Sequence, residues 1–402
     1  MKVILFDTEE NVKNLLPLSF TRPVSLFRVG ITTILEKWQM LLPGEYTLYP
    51  VEYLREVFTP GGLPDGDDFL FVAGNVIPDA DAARSVGSLA YGDSLSSEGR
   101  LVAYRGSQEG FEALGEAAPE DAMELPGCRR VEYVFDIFRA NYQALTEDFH
   151  RLTAGRRSQP LSESNRLIGG HTDSDGNPTV FIEEGAVVEG AILNVKDGPI
   201  YIGADAEIME GASLRGPVAL CKGAKVKMGG RIYGATTLGP YCKVGGELSN
   251  VVMFGYSNKA HDGYLGNAVI GEWCNIGAGV NASNLKNDYS KIRIWNYSTR
   301  RFMRTDLQFC GLIMGDHSKA GVNCMFNTAT VLGVGVNIHG SGFPRTFIPS
   351  FSEGSPVGGF KDVSLSKFLE IAERVMSRRG IAVSEGDRRI YEHVYEVSQK
   401  FK

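Results

Sequence analysis

Between Asn258 and Ala268 the chain reads Asn-Lys-Ala-His-Asp-Gly-Tyr-Leu-Gly-Asn-Ala, which sets His261 and Tyr264 three residues apart beside a glycine-rich turn. Imidazole is the one side chain whose ordinary pKa lets it take a proton near neutral pH, so His261 is a candidate general base. The same residues also fit a surface loop whose imidazole is merely solvated. Spacing alone leaves both readings open.

What must position this segment is a repeat. From about residue 180 to 345 an aliphatic residue recurs every six positions, often followed by glycine, as in Val188-Glu189-Gly190, Ile202-Gly203-Ala204, Leu238-Gly239-Pro240, Ile276-Gly277-Ala278 and Leu332-Gly333-Val334. The phase holds through Ile202, Ile208, Leu214, Leu220, Val226, Ile232, Leu238 and Val244. Six residues make one short strand and one tight turn, and three such hexads close a triangular coil whose aliphatic residues stack on those of the next coil. The expected fold is a parallel β-helix, and the hexapeptide period resembles the left-handed kind, which departs from the usual right-handed crossover. A generic antiparallel β-domain would instead show separate alternating strands roughly 8–12 residues apart. Regular hexads resume at Ile270, so the His261 segment is a break in the repeat.

The rest of the 402 residues implies two or three domains. Residues 1–160 read as α/β with a parallel sheet: Val3–Phe6, Phe69–Ala73 and Arg100–Tyr104 are buried strands, and 29–42 and 133–152 have helical spacing. Residues 161–177 form a polar linker, 178–350 the β-helix, and 351–402 a loop and an amphipathic helical tail with apolar residues at Phe368, Leu369, Ala372, Val375, Met376, Ile390, Val394 and Val397. A net charge of −7 and a pI near 5.6 argue against a nucleic-acid partner, since no basic field would meet the phosphates. The sequence has no apolar run of the roughly eighteen residues a membrane span needs, and its opening apolar stretch is too short for a signal peptide. Six isolated cysteines with no CxxC pair read as reduced packing residues of a cytoplasmic protein.

The run His261-Asp262-Gly263-Tyr264-Leu265-Gly266-Asn267-Ala268, then Asn275-Ile276-Gly277-Ala278-Gly279, resembles the acetyltransferase half of the bifunctional N-acetylglucosamine-1-phosphate uridyltransferase/glucosamine-1-phosphate N-acetyltransferase family. Looser counterparts are Ser283-Asn284-Leu285-Lys286-Asn287-Asp288 and Leu312-Ile313-Met314-Gly315-Asp316. The resemblance implies that His261 takes a proton as the amino group of glucosamine-1-phosphate attacks the thioester of acetyl-CoA, with Tyr264 and Asn284 holding the sugar phosphate and amine. It implies a homotrimer with His261 near the interface. Arg231 lies about where that family has a phosphate-binding arginine. The family's phosphate-binding lysine has no counterpart near Ser249, which leaves Lys259 to supply the charge. An insert over 285–311 carries Arg293, Trp295, Arg300, Arg301 and Arg304; these arginines would meet the phosphates of the acyl donor, or form a solvated loop or subunit contact.

Leu16–Val24 and Arg28–Ile31, followed by Glu36-Lys37-Trp38, resemble a divergent bacterial subgroup of the same family with a sugar nucleotidyltransferase-like front half. Arg22, Arg28, Lys37 and Asn75 are then the nucleotide-binding candidates. The family's glycine-rich phosphate loop is replaced by Asp7-Thr8-Glu9-Glu10-Asn11, and its Mg2+-binding acid by Asn75, with Asp79 and Asp81 near enough to substitute. Two expectations follow. One is a transferase of sugar-nucleotide synthesis that uses acetyl-CoA, a sugar phosphate and a nucleotide, with Mg2+ if the front half is active. The other is a non-catalytic trimeric scaffold that binds or regulates through sugar nucleotides.

Overall fold

The structure, a computed structural model, describes residues 1–115 and 117–402. The front of the chain builds a six-stranded sheet in the order β2-β1-β3-β6-β5-β7 from β1 (Lys2–Phe6), β2 (Glu45–Tyr49), β3 (Phe69–Ala73), β5 (Ser94–Ser97), β6 (Arg100–Gly106) and β7 (Met123–Glu124); β4 (Val76–Ile77) pairs separately with β8 (Arg129–Arg130). The β2-β1-β3 half is parallel, whereas β6 runs antiparallel to both β3 and β5. β1 and β3 are continuous apolar runs because both faces are covered. Around them lie α1 (Glu9–Asn14), α2 (Ile34–Leu41), α3 (Glu52–Phe58), α4 (Ala80–Gly87), α5 (Gln108–Leu114) and α6 (Asp136–Thr153). The helical spacing expected from residue 29 is realised only from Ile34. Gly30 takes a φ of 84°, and Thr33 with Glu36 closes a capping box that starts the helix there.

The hexads form the β-helix. Ile202, Leu220 and Leu238, each three hexads apart, stand in register, followed by Met253, Ile270, Met314, Leu332 and Ile348. Ile208, Val226 and Val244 form a second inner column, and Leu193, Leu214, Ile232, Leu248, Leu265 and Ala282 a third. All are buried, so each coil buries its neighbours' apolar residues as the period predicts. The ladder extends back to Arg166–Ile168, which pairs with Ile192–Asn194. Between Ile270 and Met314 the insert leaves the coil and folds as an antiparallel hairpin, Arg293–Asn296 against Arg301–Arg304.

One face of the prism is buried from outside as well. Ala219, Thr237, Val252, Val269, Ile313 and Val331 point away from the interior yet are inaccessible. α6 lies over this face, where Asn141 donates from Nδ2 to the Ala235 carbonyl and to Thr237 Oγ1, and Phe27 of the front half packs on Phe254 at 5.2 Å. The tail helices α7 (Leu365–Ser377) and α8 (Glu385–Ser398) close the assembly. Tyr391 Oη meets His317 Nε2 at 2.8 Å, and His393 stacks on Tyr53 of α3 at 4.0 Å. Front sheet, β-helix face and tail thus share one apolar core. None of the described cysteines is paired; five are buried and Cys128 is half-buried. Among the described residues no helix is long and apolar enough to cross a membrane.

Candidate functional site

On a second face of the prism the ladder aligns Arg231, Glu247 and Tyr264 in one outward row. Arg231 lies 3.7 Å from Glu247, whose other oxygen accepts from Tyr233 Oη at 2.6 Å. The backbone N–H of Tyr264 donates to Asn281 Oδ1 at 2.9 Å. Asn284, just after the next rung, donates from Nδ2 to Tyr264 Oη at 3.1 Å and to Asn267 Oδ1 at 2.7 Å. Burial pushes the Tyr264 phenol up, and the nearby Glu247 adds to this, so it stays protonated at neutral pH. Its oxygen accepts from Asn284, and its own proton has no acceptor among the described residues, so it is available to a ligand.

His261 is exposed at the corner leading into this face. Its loop is fixed from beneath. Lys259 occupies an inner-column position in register with Val244, and its Nζ donates to the carbonyls of His261 and Asp262, the latter at 2.9 Å. Burial pulls the Lys259 ammonium down to about 8. Gly263 has a φ of 121°, and a Cβ there would lie 2.0 Å from the Val280 carbonyl oxygen, so the turn admits glycine alone. The structure therefore puts His261 at the corner three residues before Tyr264 and joins Tyr264 to Asn284 by a hydrogen bond. It does not bring Lys259 there, because the ammonium is turned inward and used up on the loop's own carbonyls.

The insert walls a groove of about 910 Å³ that begins beside Asn284 at Ser283 and continues past Lys286, Arg293, Phe302, Thr328 and Phe343. Arg293 lines it. Arg300 lies over the Phe401 ring, while Arg301 and Arg304 face solvent. Trp295 is half-buried, stacked at 4.2 Å on Phe347.

The front-half candidates are placed otherwise than the resemblance implied. Arg22 is buried between Asp316 and Glu272 of the β-helix. Lys37 is buried with Asp148 and Thr32. Arg28 donates to the Ile31 carbonyl and closes its own loop. Asn75 is buried, its Nδ2 donating to the Val131 carbonyl at 3.3 Å. Their contacts run to four separate places in the fold rather than to one site, although Arg22 Nε, Arg28 Nε and Asn75 Oδ1 are buried without a hydrogen-bond partner among the described residues. Asp79 caps α4 through the Ala82 N–H, and Asp81 pairs with Arg84 in the exposed first turn. Both carboxylates are thereby diverted from a shared cation, and no group of three or more His, Cys, Asp or Glu side chains arranged to hold a metal occurs among the described residues.

Sequence reasoning missed three acids. Asp7, just after β1, is half-buried and receives the Val24 N–H on both oxygens, and desolvation raises its carboxyl to about 7. Asp148 and Asp316 carry the two buried ion pairs. Asp148 falls on the apolar side of α6, and an acid there is the one signal that pointed to a buried partner.

Among solved structures, the chain is similar to a UDP-N-acetylglucosamine acyltransferase from Francisella novicida (10% identity, TM-score 0.32, 60% of this chain and 76% of that one). It is also similar to the Arabidopsis UDP-N-acetylglucosamine acyltransferase (13%, TM-score 0.23, 55% and 80%). A third is an N-acyltransferase from Bacillus cereus in complex with dTDP and 3-hydroxybutyryl-CoA (12%, TM-score 0.23, 50% and 89%). The front of the chain, residues 3–157, matches the family model described as sugar nucleotidyl transferase.

Proposed function

We propose that this protein is a transferase of sugar-nucleotide synthesis whose β-helix moves an acetyl group from acetyl-CoA to the amino group of glucosamine-1-phosphate. The observation that supports this best is the Tyr264–Asn284–Asn267 hydrogen-bonded chain beside an exposed imidazole whose loop is fixed by Lys259. In this reading Asn284 and Tyr264 orient the sugar, and Arg231, which shares its row, faces the phosphate. The His261 imidazole takes the amine proton as nitrogen attacks the thioester carbonyl carbon. The C–N bond forms, the C–S bond breaks, and the departing thiolate takes the proton to leave as the free thiol. A positioned base is worth typically about 10²–10⁴ in rate. The groove beside Asn284 takes the acyl donor, with Lys286 and Arg293 toward its phosphates and Phe302 and Phe343 along its apolar portions. Since one prism face is covered by the front half, a homotrimer would associate through the face that carries the Arg231–Tyr264 row, with His261 at a protomer boundary. A cytoplasmic location goes with this reading.

The test is thiol release from acetyl-CoA with glucosamine-1-phosphate as acceptor, for the wild type and for His261→Ala. Turnover that vanishes in the variant supports catalysis; no turnover in either ends this reading.

A second reading is favoured by a specific observation. With Arg22 and Lys37 held in buried ion pairs, the front half acts as a structural or sugar-nucleotide-binding body rather than a nucleotidyltransferase, and the whole becomes a trimeric scaffold. Thiol release separates the two, since a scaffold gives none; pyrophosphate release from nucleoside triphosphates with Mg2+ and hexose phosphates tests separately whether the front half is a nucleotidyltransferase.

A further inference from the structure

The face of the prism opposite in character to the His261 row is basic. The ladder sets Lys225, Lys243, Asn258, Asn275 and Lys319 in one outward line. The turn after α7 brings Arg378 and Arg379 over that line, and a cavity of about 420 Å³ lies between. Lys225, at the end of the line and outside the cavity, is paired with Glu207 at 2.6 Å. Lys243, Lys319, Arg378 and Arg379 form no ion pair among the described residues. A chain of net charge −7 thus gathers four uncompensated cations in one concavity.

Two of the four have an ordinary explanation. Arg378 and Arg379 follow the last turn of α7, where cations suit the helix dipole, and Arg379 Nη2 ties the turn down through the Tyr241 carbonyl at 3.3 Å and Asn258 Oδ1 at 3.4 Å. Lys243 has none, since it lies on the β-helix itself and forms no side-chain hydrogen bond or ion pair among the described residues, and Lys319 has only part of one. Lys319 is half-buried and donates to the His317 carbonyl at 2.8 Å, which engages one of its three N–H donors. Burial, then Arg379 and neighbouring lysines, holds the Lys243 ammonium below its usual value, so the cluster repels itself as it stands. The cavity also has an aromatic side. Tyr256 and Trp273 occupy successive corners with φ of 54° and 61°, a region few non-glycine residues enter, and their rings stack at 4.2 Å.

We infer that this cavity binds a small molecule carrying a diphosphate group, with Lys243, Lys319 and Arg378 around the phosphates and the Tyr256 ring beside the remainder. It shares no lining residue with the groove beside Asn284, and the inference does not rest on acyl transfer.

The test is calorimetric titration of the full-length protein with sodium pyrophosphate, UDP, coenzyme A and uridine. Pyrophosphate and UDP should bind and uridine should not, with affinity falling as salt rises. Lys243→Gln and Arg378→Gln, both accessible enough to leave folding intact, should each weaken pyrophosphate at least about tenfold, a loss of about 1.4 kcal/mol. Arg84→Gln removes the same charge elsewhere and should change nothing. Coenzyme A carries a diphosphate too: its competition with UDP would make it a natural source of the group, and lack of competition would assign the cavity to nucleotides. No binding of pyrophosphate or UDP at millimolar concentration, or equal affinities in wild type and both cavity variants, overturns the inference.

Discussion

Arg22 of the front half and Asp316 of the β-helix, 294 residues apart in the chain, form a buried ion pair. The second arm of the guanidinium reaches Glu272 at 3.0 Å, its face lies 5.4 Å from the Phe254 ring centre, and Thr21 Oγ1 donates to the same Asp316 oxygen at 2.7 Å. Burial works against the charge on Arg22, but Asp316 and Glu272 outweigh it and hold the guanidinium above its usual range. Removing one partner of such a pair typically costs about 3–5 kcal/mol, because the other is left buried and uncompensated. Arg22→Ala should therefore lower the melting temperature of the front half and the β-helix together. Arg22→Lys should recover only part of this, since an ammonium cannot fork to two carboxylates. Two separate melting transitions in Arg22→Ala, with the β-helix transition unmoved, would show that the pair does not join them.

The second buried pair ranks its own variants. Asp148 Oδ2 accepts from the N–H groups of Ile31 and Thr32 at 2.9 and 3.0 Å, from Thr32 Oγ1 at 3.0 Å and from Lys37 Nζ. Asp148→Ala strands an ammonium and two backbone donors, so a loss of about 3–5 kcal/mol is expected. Lys37→Met leaves the carboxylate its other donors and should cost less. Urea midpoints at constant m-value measure the order; the reverse order would mean that the lysine dominates.

In the proposed acyl-transfer site, Tyr264→Phe removes one hydroxyl without moving the base. It should raise KM for the amino sugar about tenfold, the worth of roughly 1.4 kcal/mol, with kcat little changed. Lys259→Met keeps the aliphatic stem in the column but frees the two carbonyls of the loop. It should lower kcat more than it lowers the melting temperature. A Lys259→Met enzyme with full kcat would mean that the loop keeps its shape without the ammonium.

Asp7 gives the chain a pH dependence. Its carboxyl titrates near 3.8 when unfolded and at about 7 when folded, so the folded state holds the extra proton. Its favourable contribution is complete below the unfolded value and is lost as pH rises through the folded one. Asp7→Asn keeps an acceptor for the Val24 N–H and carries no charge. The variant should exceed the wild type at pH 8 by on the order of 2 kcal/mol, and the advantage should vanish toward pH 4. Denaturant titrations at the two pH values check this; equal differences at both would place the titration elsewhere.

Much of the β-helix was legible because its period is local: each aliphatic residue from Ile202 to Val244 is buried by the coil above and below it, so six-residue spacing alone specifies the stack. His261 and Tyr264 were legible as a break in that period, and Asn284 only through the family resemblance. The roles of Arg22, Lys37 and Lys259 were not. A charged side chain reads the same whether it faces a phosphate or a partner in the fold, and their partners lie beyond any local pattern, from the carbonyls of a neighbouring loop to an acid 294 residues away.

By itself the sequence determined the repeat, its inner columns, the helical tail and the irregular loop with its imidazole, because burial and turn chemistry act over six to eighteen or so neighbouring residues. Only the tertiary structure decided which face of the prism the front half would cover, that Lys259 turns inward, and that Lys243 and Lys319 meet Arg378. Those outcomes depend on which distant surfaces exclude water together, and desolvation is a property of the assembled fold.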